Sequence, residues 1–313
     1  MLKLYTTILV ILMPFFFNSC SVENTILPIP PTMDVASMAY VINGADINTI
    51  AKSNFKAAII DYSQDGSEEK KYTVNQINQL KDNTITPIAY LSIGEAEDYR
   101  FYWQEEWDTN PPEWLDEENE ENPEWVGNYN VKYWDDDWKA IVFQYIDKIL
   151  EQGFAGIMLD RVDSYYYWSE EQGVLNEQDA ADRMINFVVE IGNYIKTEKG
   201  FEDFKIISQN ALGIFQYDVQ DELKKTICGV SIESLFFMPD GSPTDFWLRT
   251  YRLGFLEMLK QYGKLVFVTD YVYPISGLPE QFIDTAKSYG FIPYAAHVSR
   301  QLDELIVIEN LQP

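Results

Sequence analysis

Two carboxylates in this chain interrupt runs that are otherwise apolar. Asp160 follows Ile157-Met158-Leu159, and Glu233 stands between Ile232 and Leu235-Phe236-Phe237. An unpaired charge in such a run is costly to bury, so each needs compensation or a shifted pKa. A raised pKa on Glu233 would suit a general acid. Two such carboxyls, one to attack and one to protonate the leaving oxygen, are what glycoside hydrolysis requires. Other apolar runs also end in carboxylates or amides: Asp61, Glu95, Asp163, Asn210 and Asp270. Any one of them could simply cap the helix or turn that follows. A whole rim of them is electrostatically expensive without a use.

The remaining inventory points the same way. The chain has 21 Tyr and 8 Trp, and many fall near the ends of those runs, including Tyr90, Tyr99, Trp103, Tyr165 and Tyr271. Aromatic faces can stack on sugars or simply pack under a loop. One histidine, His297, leaves little room for zinc or for Ser-His-Asp chemistry, and it reads first as structural. Cys20 and Cys228 give neither a disulfide framework nor a CxxC metal site. With 50 acidic against 23 basic residues among 313, the net charge is −27, which excludes nucleic acid held by counterion release. At 46% hydrophobic and 15% aromatic, the chain is nonetheless not disordered acidic matter.

The elements that must position these groups are legible as alternating periodicities. Apolar runs of strand composition occupy residues 37–42, 57–62, 86–93, 155–162, 205–211, 229–236, 265–271 and 291–297. Continuous runs of this kind suit parallel strands buried on both faces. Helical patterns fill 73–83, 135–153, 176–200, 243–263 and 278–290, most of them closing near a glycine. Eight strands with intervening helices predict an α/β fold of the (β/α)8 TIM-barrel type. A doubly wound sheet would call for a Gly-rich phosphate loop after the first strand, and the sequence has none. Residues 104–124 carry ten acids, three prolines and no Lys or Arg, and read as a long, solvated acidic insertion after strand 3. Calcium binding there lacks the DxDxDG spacing.

Residues 1–19 read as a lipoprotein-type signal peptide: Lys3, an apolar stretch over 4–17, then Asn18-Ser19-Cys20. Cleavage there would leave Cys20 as the lipidated first residue, and 20–33 as a Pro-rich tether. The expectation is an exported, membrane-anchored bacterial lipoprotein, periplasmic or at the cell surface, with 34–313 as one barrel domain. An ordinary secretory signal with Cys20 incidental is the alternative.

A family resemblance rests on an ordered set of motifs. They are IAYLSIGEAEDYRFYW (88–103), WVGNYNVKYWDDDW (125–138), GFAGIMLDRVDSYYYW (153–168), SQNA (208–211), IESLFF (232–237), VTDYV (268–272) and GFIPYAA (290–296). Together these resemble glycoside hydrolase family 114, TIM-barrel proteins typified by endo-α-1,4-polygalactosaminidases. The resemblance implies hydrolysis of an α-1,4-linked galactosamine-containing polysaccharide by two carboxylates, with Asp160 as nucleophile, Glu233 as acid/base and retention of configuration. It implies sugar contacts from Asp61, Glu95, Tyr99, Arg100, Trp103, Asp163, Tyr165, Asn210, Asp270 and Tyr271. It implies no cofactor and no metal. The opening strand fits the family only loosely, and the acidic segment looks longer than the family needs. Two other readings stay open: a lipoprotein that binds glycan without cutting it, and a hydrolase whose Mg²⁺ or Ca²⁺ is held by rim carboxylates.

Overall fold

The structure, a computed structural model, describes residues 35–116 and 121–313. Residues 1–34, to which the expected signal peptide, Cys20 and the expected tether belong, lie outside the described residues. The chain alternates strand and helix from the outset. The strands are β1 (Met38–Val41), β2 (Ala57–Ile60), β3 (Thr86–Ser92), β4 (Glu95–Glu97), β5 (Asn128–Asn130), β6 (Gly156–Asp160), β7 (Lys205–Gln209), β8 (Gly229–Glu233), β9 (Leu265–Tyr273) and β10 (Ile292–His297). The helices are α1 (Ile47–Ala51), α2 (Val74–Asp82), α3 (Asp136–Gln152), α4 (Ser164–Tyr166), α5 (Glu177–Asn193), α6 (Glu222–Thr226), α7 (Phe246–Gln261) and α8 (Leu278–Ser288).

Eight strands form one sheet in the order β1-β2-β3-β6-β7-β8-β9-β10, and every pairing in it is parallel. β1 and β10 also lie side by side, so the sheet curls into a nearly closed barrel with helices between the strands. This is the (β/α)8 arrangement that the alternating periodicities predict. At the seam a side chain takes the place of strand pairing. Gln312 accepts the Ala295 N–H at 2.7 Å and donates to the carbonyls of Ala295 and Ile306 at 3.2 and 2.8 Å. Buried backbone groups need such partners, and the C-terminal segment supplies them.

Helix starts and stops follow their local chemistry. Thr73 and Gln76 form a reciprocal capping box on α2. Asp135 caps α3, Asp136 and Asp137 favour its positive end, and Gly153 at φ +87° closes it. α5 passes into a π-helical turn over Tyr194–Glu198, within the single helical pattern read from sequence.

The acidic stretch is more packed than its composition suggests. It runs from the end of β4 to β5, which pair antiparallel as a two-stranded arm. Trp107, Trp114 and Leu115 are buried, and Trp103, Trp107, Trp114 and Trp138 meet ring to ring in sequence. The described part is therefore a charged face over an aromatic underside, and the expectation of a wholly solvated loop is corrected.

Candidate active site

The C-terminal ends of the strands open onto one cleft of about 680 Å³. Asp160 ends β6 and Glu233 ends β8, and both line it. Both carboxyls open onto this one cleft, close enough for the charge of Glu233 to act on Asp160. After them the backbone turns sharply. Arg161, Asn210 and Ser234, directly after β6, β7 and β8, adopt left-handed φ of 59°, 54° and 49°. Non-glycine residues in that region cost about 1–2 kcal/mol each and persist where the surrounding fold holds them.

Each carboxyl of the pair is served by uncharged donors. The Tyr90 hydroxyl, from β3, donates to Asp160 Oδ2 at 2.6 Å. Asp160 Oδ1 takes no hydrogen bond among the described residues. Glu233 Oε2 accepts from Asn210 Nδ2 at 3.0 Å, and its Oε1 accepts from the Tyr271 hydroxyl. Asn210 Oδ1 in turn accepts the Glu233 backbone N–H at 3.2 Å, so one side chain fixes both ends of that residue. Burial pushes the Asp160 carboxyl up to about 7; Tyr90 pulls against this, while Glu233 and Asp163 add to it. Tyr40 of β1 lies where it feels both Glu233 and Asp160, and burial keeps its phenol neutral.

Three other carboxylates of the cleft, Asp61, Glu97 and Glu95, are held by arginines. Arg100 pairs with Asp61 at 2.7 Å and with Glu97 at 2.6 Å, and all three are buried. Burial raises Asp61 to about 6 even though Arg100 opposes the rise. Glu95 pairs with Arg161 at 3.1 Å and also accepts from Asn122 at 2.9 Å and Asn128 at 3.2 Å. Gly94 permits this close approach: a Cβ there would sit 2.2 Å from Ser164 Oγ and 2.3 Å from the Arg161 carbonyl.

Of the residues singled out from sequence, Asp61, Glu95, Tyr99, Arg100, Asp163, Asn210 and Tyr271 line the cleft with Asp160 and Glu233. Three do not. Asp270 is fully buried and accepts the backbone N–H groups of Leu235, Phe236 and Phe237 at 2.8–2.9 Å. It clamps the loop after β8 and has no free oxygen for sugar. Trp103 stacks on Tyr129 at 5.1 Å beneath the acidic segment. Tyr165 is buried against Tyr166 and Tyr217. All three signals were positional, and position at a strand end does not say which way a side chain turns. His297 accepts the Ser299 N–H on Nδ1 at 3.1 Å and lies outside the cleft lining.

The cleft also contains residues that the sequence did not single out as ligands. Glu97 sits three residues before Arg100, a spacing that could have flagged the pair. Arg300 ion-pairs with Glu124 at 3.3 Å and lies 5.6 Å over the Trp125 ring, joining the loop after β10 to the acidic segment across the cleft. Those partners are 176 positions apart, and no local pattern announces them. Among the described residues no group of three or more His, Cys, Asp or Glu side chains is arranged to hold a metal ion, and no helix is long and apolar enough to cross a membrane.

With this geometry established, the chain can be compared with known proteins. The sequence model of the Glycoside-hydrolase family GH114 matches residues 22–311. An uncharacterized protein of Thermotoga maritima is 42% identical over 97% of this chain and 93% of its own length. One from Methanocaldococcus jannaschii is 44% identical over 85% of this chain and 77% of its own. Among solved structures, the glycoside hydrolase domain of PelA from Pseudomonas aeruginosa superposes with a TM-score of 0.65 at 16% identity, covering 87% of this chain and 98% of that one. Aspergillus fumigatus Ega3 in complex with galactosamine superposes with a TM-score of 0.63 at 15% identity, covering 89% and 98%. At those identities the structural likeness is one of fold.

Proposed function

This chain belongs to glycoside hydrolase family GH114, and we propose that Asp160 and Glu233 are its catalytic pair, cutting an α-1,4-linked, galactosamine-containing polysaccharide with retention of configuration. Asp160 is the nucleophile. Its Oδ1 attacks the anomeric carbon as the glycosidic bond breaks, the bonding pair leaves with the oxygen, and Glu233 gives that oxygen its proton. Glu233, now a carboxylate, takes a proton from the water that opens the glycosyl ester. The hydrogen bonds support this order of roles. Asp160 keeps one oxygen unengaged for attack, whereas Asn210 and the Tyr271 hydroxyl hold both oxygens of Glu233 at one place on the cleft.

The observation that carries the reading is the pairing itself: two carboxyls on one cleft, each held by neutral donors, amid rim carboxylates that arginines hold. The charge of the cleft supports the substrate class. Eight carboxylates line it against three arginines. A cationic amino sugar would be drawn in and would favour the ionised form of Asp160. Galactosamine is the ligand in the Aspergillus neighbour, and the same sugar is proposed here. Asp163, Tyr99 and Asn210 are proposed to meet its hydroxyl or amino groups. Export and lipidation on Cys20 belong to the same proposal, and Cys20→Ser should move the protein out of the membrane fraction.

Product analysis tests the reading. The protein is incubated with a partly deacetylated galactosamine polymer and with its fully N-acetylated form. Release of oligosaccharides from the first, falling with added salt and with acetylation, is expected. No release from any galactosamine-containing polymer would refute it.

A further inference from the structure

Beyond the cleft, on the side of the loops after β6, β7 and β8, the surface carries a strip of exposed aromatic rings. Trp247 is 75% exposed, Phe246 58%, Tyr251 51% and Tyr166 51%. Trp247 and Tyr251 are four residues apart near the start of α7, so they share one helix face. Phe246 packs edge-on to Trp247 at 5.2 Å. Tyr166, from α4, lies close enough to Tyr251 for charge on one to raise the other's phenol, behind the larger effect of burial. A built support lies behind the strip. Buried Tyr165 sits edge-on to Tyr166 at 5.8 Å, and a Cβ on Gly213 would lie 3.0 Å from the Tyr165 hydroxyl and 3.1 Å from that of Tyr251.

Soluble proteins rarely leave contiguous large rings in water without a use. Two further facts say what covers these. The strip adjoins the elements that shape the cleft: Tyr166 follows Asp163, a cleft-lining residue, by one turn, and Arg252, on the helix that carries Trp247 and Tyr251, donates to the Glu233 carbonyl at 3.3 Å. A carboxylate also stands beside it, since Glu177 acts on both Tyr217 and Tyr251. Aromatic faces beside a carboxylate suit a cationic amino sugar, which offers C–H faces to the rings and an ammonium to their π-clouds.

We propose that the Tyr166–Tyr251–Trp247 strip is a second polysaccharide-binding site, which holds the same amino-sugar polymer outside the cleft and feeds it across Asp160 and Glu233. It rests on the proposed substrate class and adds a chain-length dependence. A surface that grips distant units lowers KM for polymer and leaves short oligosaccharides unaffected.

The test compares wild type with Trp247→Ala/Tyr251→Ala, two exposed positions away from the reacting groups. Substrates are a long, partly deacetylated galactosamine polymer and a short oligomer of the same sugar. KM for the polymer should rise roughly ten-fold, with kcat and all oligomer kinetics unchanged. Retention of the polymer by Asp160→Asn in affinity electrophoresis should weaken about ten-fold when the two strip substitutions are added. Unchanged polymer kinetics in a folded double variant would overturn the strip while leaving the catalytic reading intact. So would a wild-type dimer that the substitutions turn into a monomer with unaltered polymer binding, because the rings would then cover a second copy. A wild type that neither cuts nor binds the polymer would overturn both.

Discussion

Two sets of carboxylates share one cleft and are treated differently. Asp61, Glu97 and Glu95 face arginine guanidinia at 2.6–3.1 Å, and Arg100 is itself buried between two of them. Asp160 and Glu233 face a phenol each, with an amide added for Glu233. An arginine does not lose its proton, so a carboxylate beside it gains by staying charged. A phenol or amide stabilises a carboxylate without fixing its charge, and so leaves it able to gain and lose a proton at modest cost. The acids held by arginine make the wall, and the acids held by neutral donors are the ones proposed to react.

The predictions that break this comparison begin with the reactive pair. Asp160→Asn should lower kcat/KM by about a thousand-fold or more, read by reducing-end release. It should also raise the unfolding midpoint near neutral pH. Burial holds the folded carboxyl at about 7, above its ordinary 3.8, so its ionisation costs stability. That cost is absent below about pH 4, grows as pH rises, and is complete above about pH 7. The stabilisation by Asn should therefore be absent near pH 4, grow between about pH 4 and pH 7, and hold its full size above pH 7. Unchanged activity would remove Asp160 from the chemistry.

The wall should answer in stability. Arg100→Leu strands Asp61 and Glu97 as buried, unpaired acids and should cost about 3–5 kcal/mol in chemical denaturation. A loss below 1 kcal/mol would mean that the pair does little to hold the wall.

The smallest effect is the most discriminating. Tyr90→Phe removes a hydrogen bond that favours ionised Asp160, so that carboxyl should rise further. The acidic limb of the kcat/KM profile should move up by roughly one pH unit. If the alkaline limb moves instead, Asp160 is the acid and the two roles are exchanged.

The barrel was legible because each of its strands is a continuous apolar run and each run lies where the structure places a strand. Asp160 and Glu233 could be singled out for a related reason, since a carboxylate inside or directly after such a run stands out. Direction was harder to read. Asp270 occupies a strand like Glu233, yet it turns onto three backbone amides and not into the cleft. Trp103 and Tyr165 sit beside cleft residues in sequence and pack away from the cleft in space. The Arg300–Glu124 contact depends on two loops meeting across the mouth, which only the closed barrel decides.

The central claim is that Asp160 makes a bond to sugar while Glu233 moves the proton. A Glu233→Ala variant, incubated with a 5-fluoro-galactosaminyl fluoride whose departure needs no acid, tests it most directly by intact-protein and peptide mass spectrometry. The account predicts a mass gain of one glycosyl unit, located on Asp160. A label on any other residue, or none under conditions where the fluoride is turned over, would contradict it.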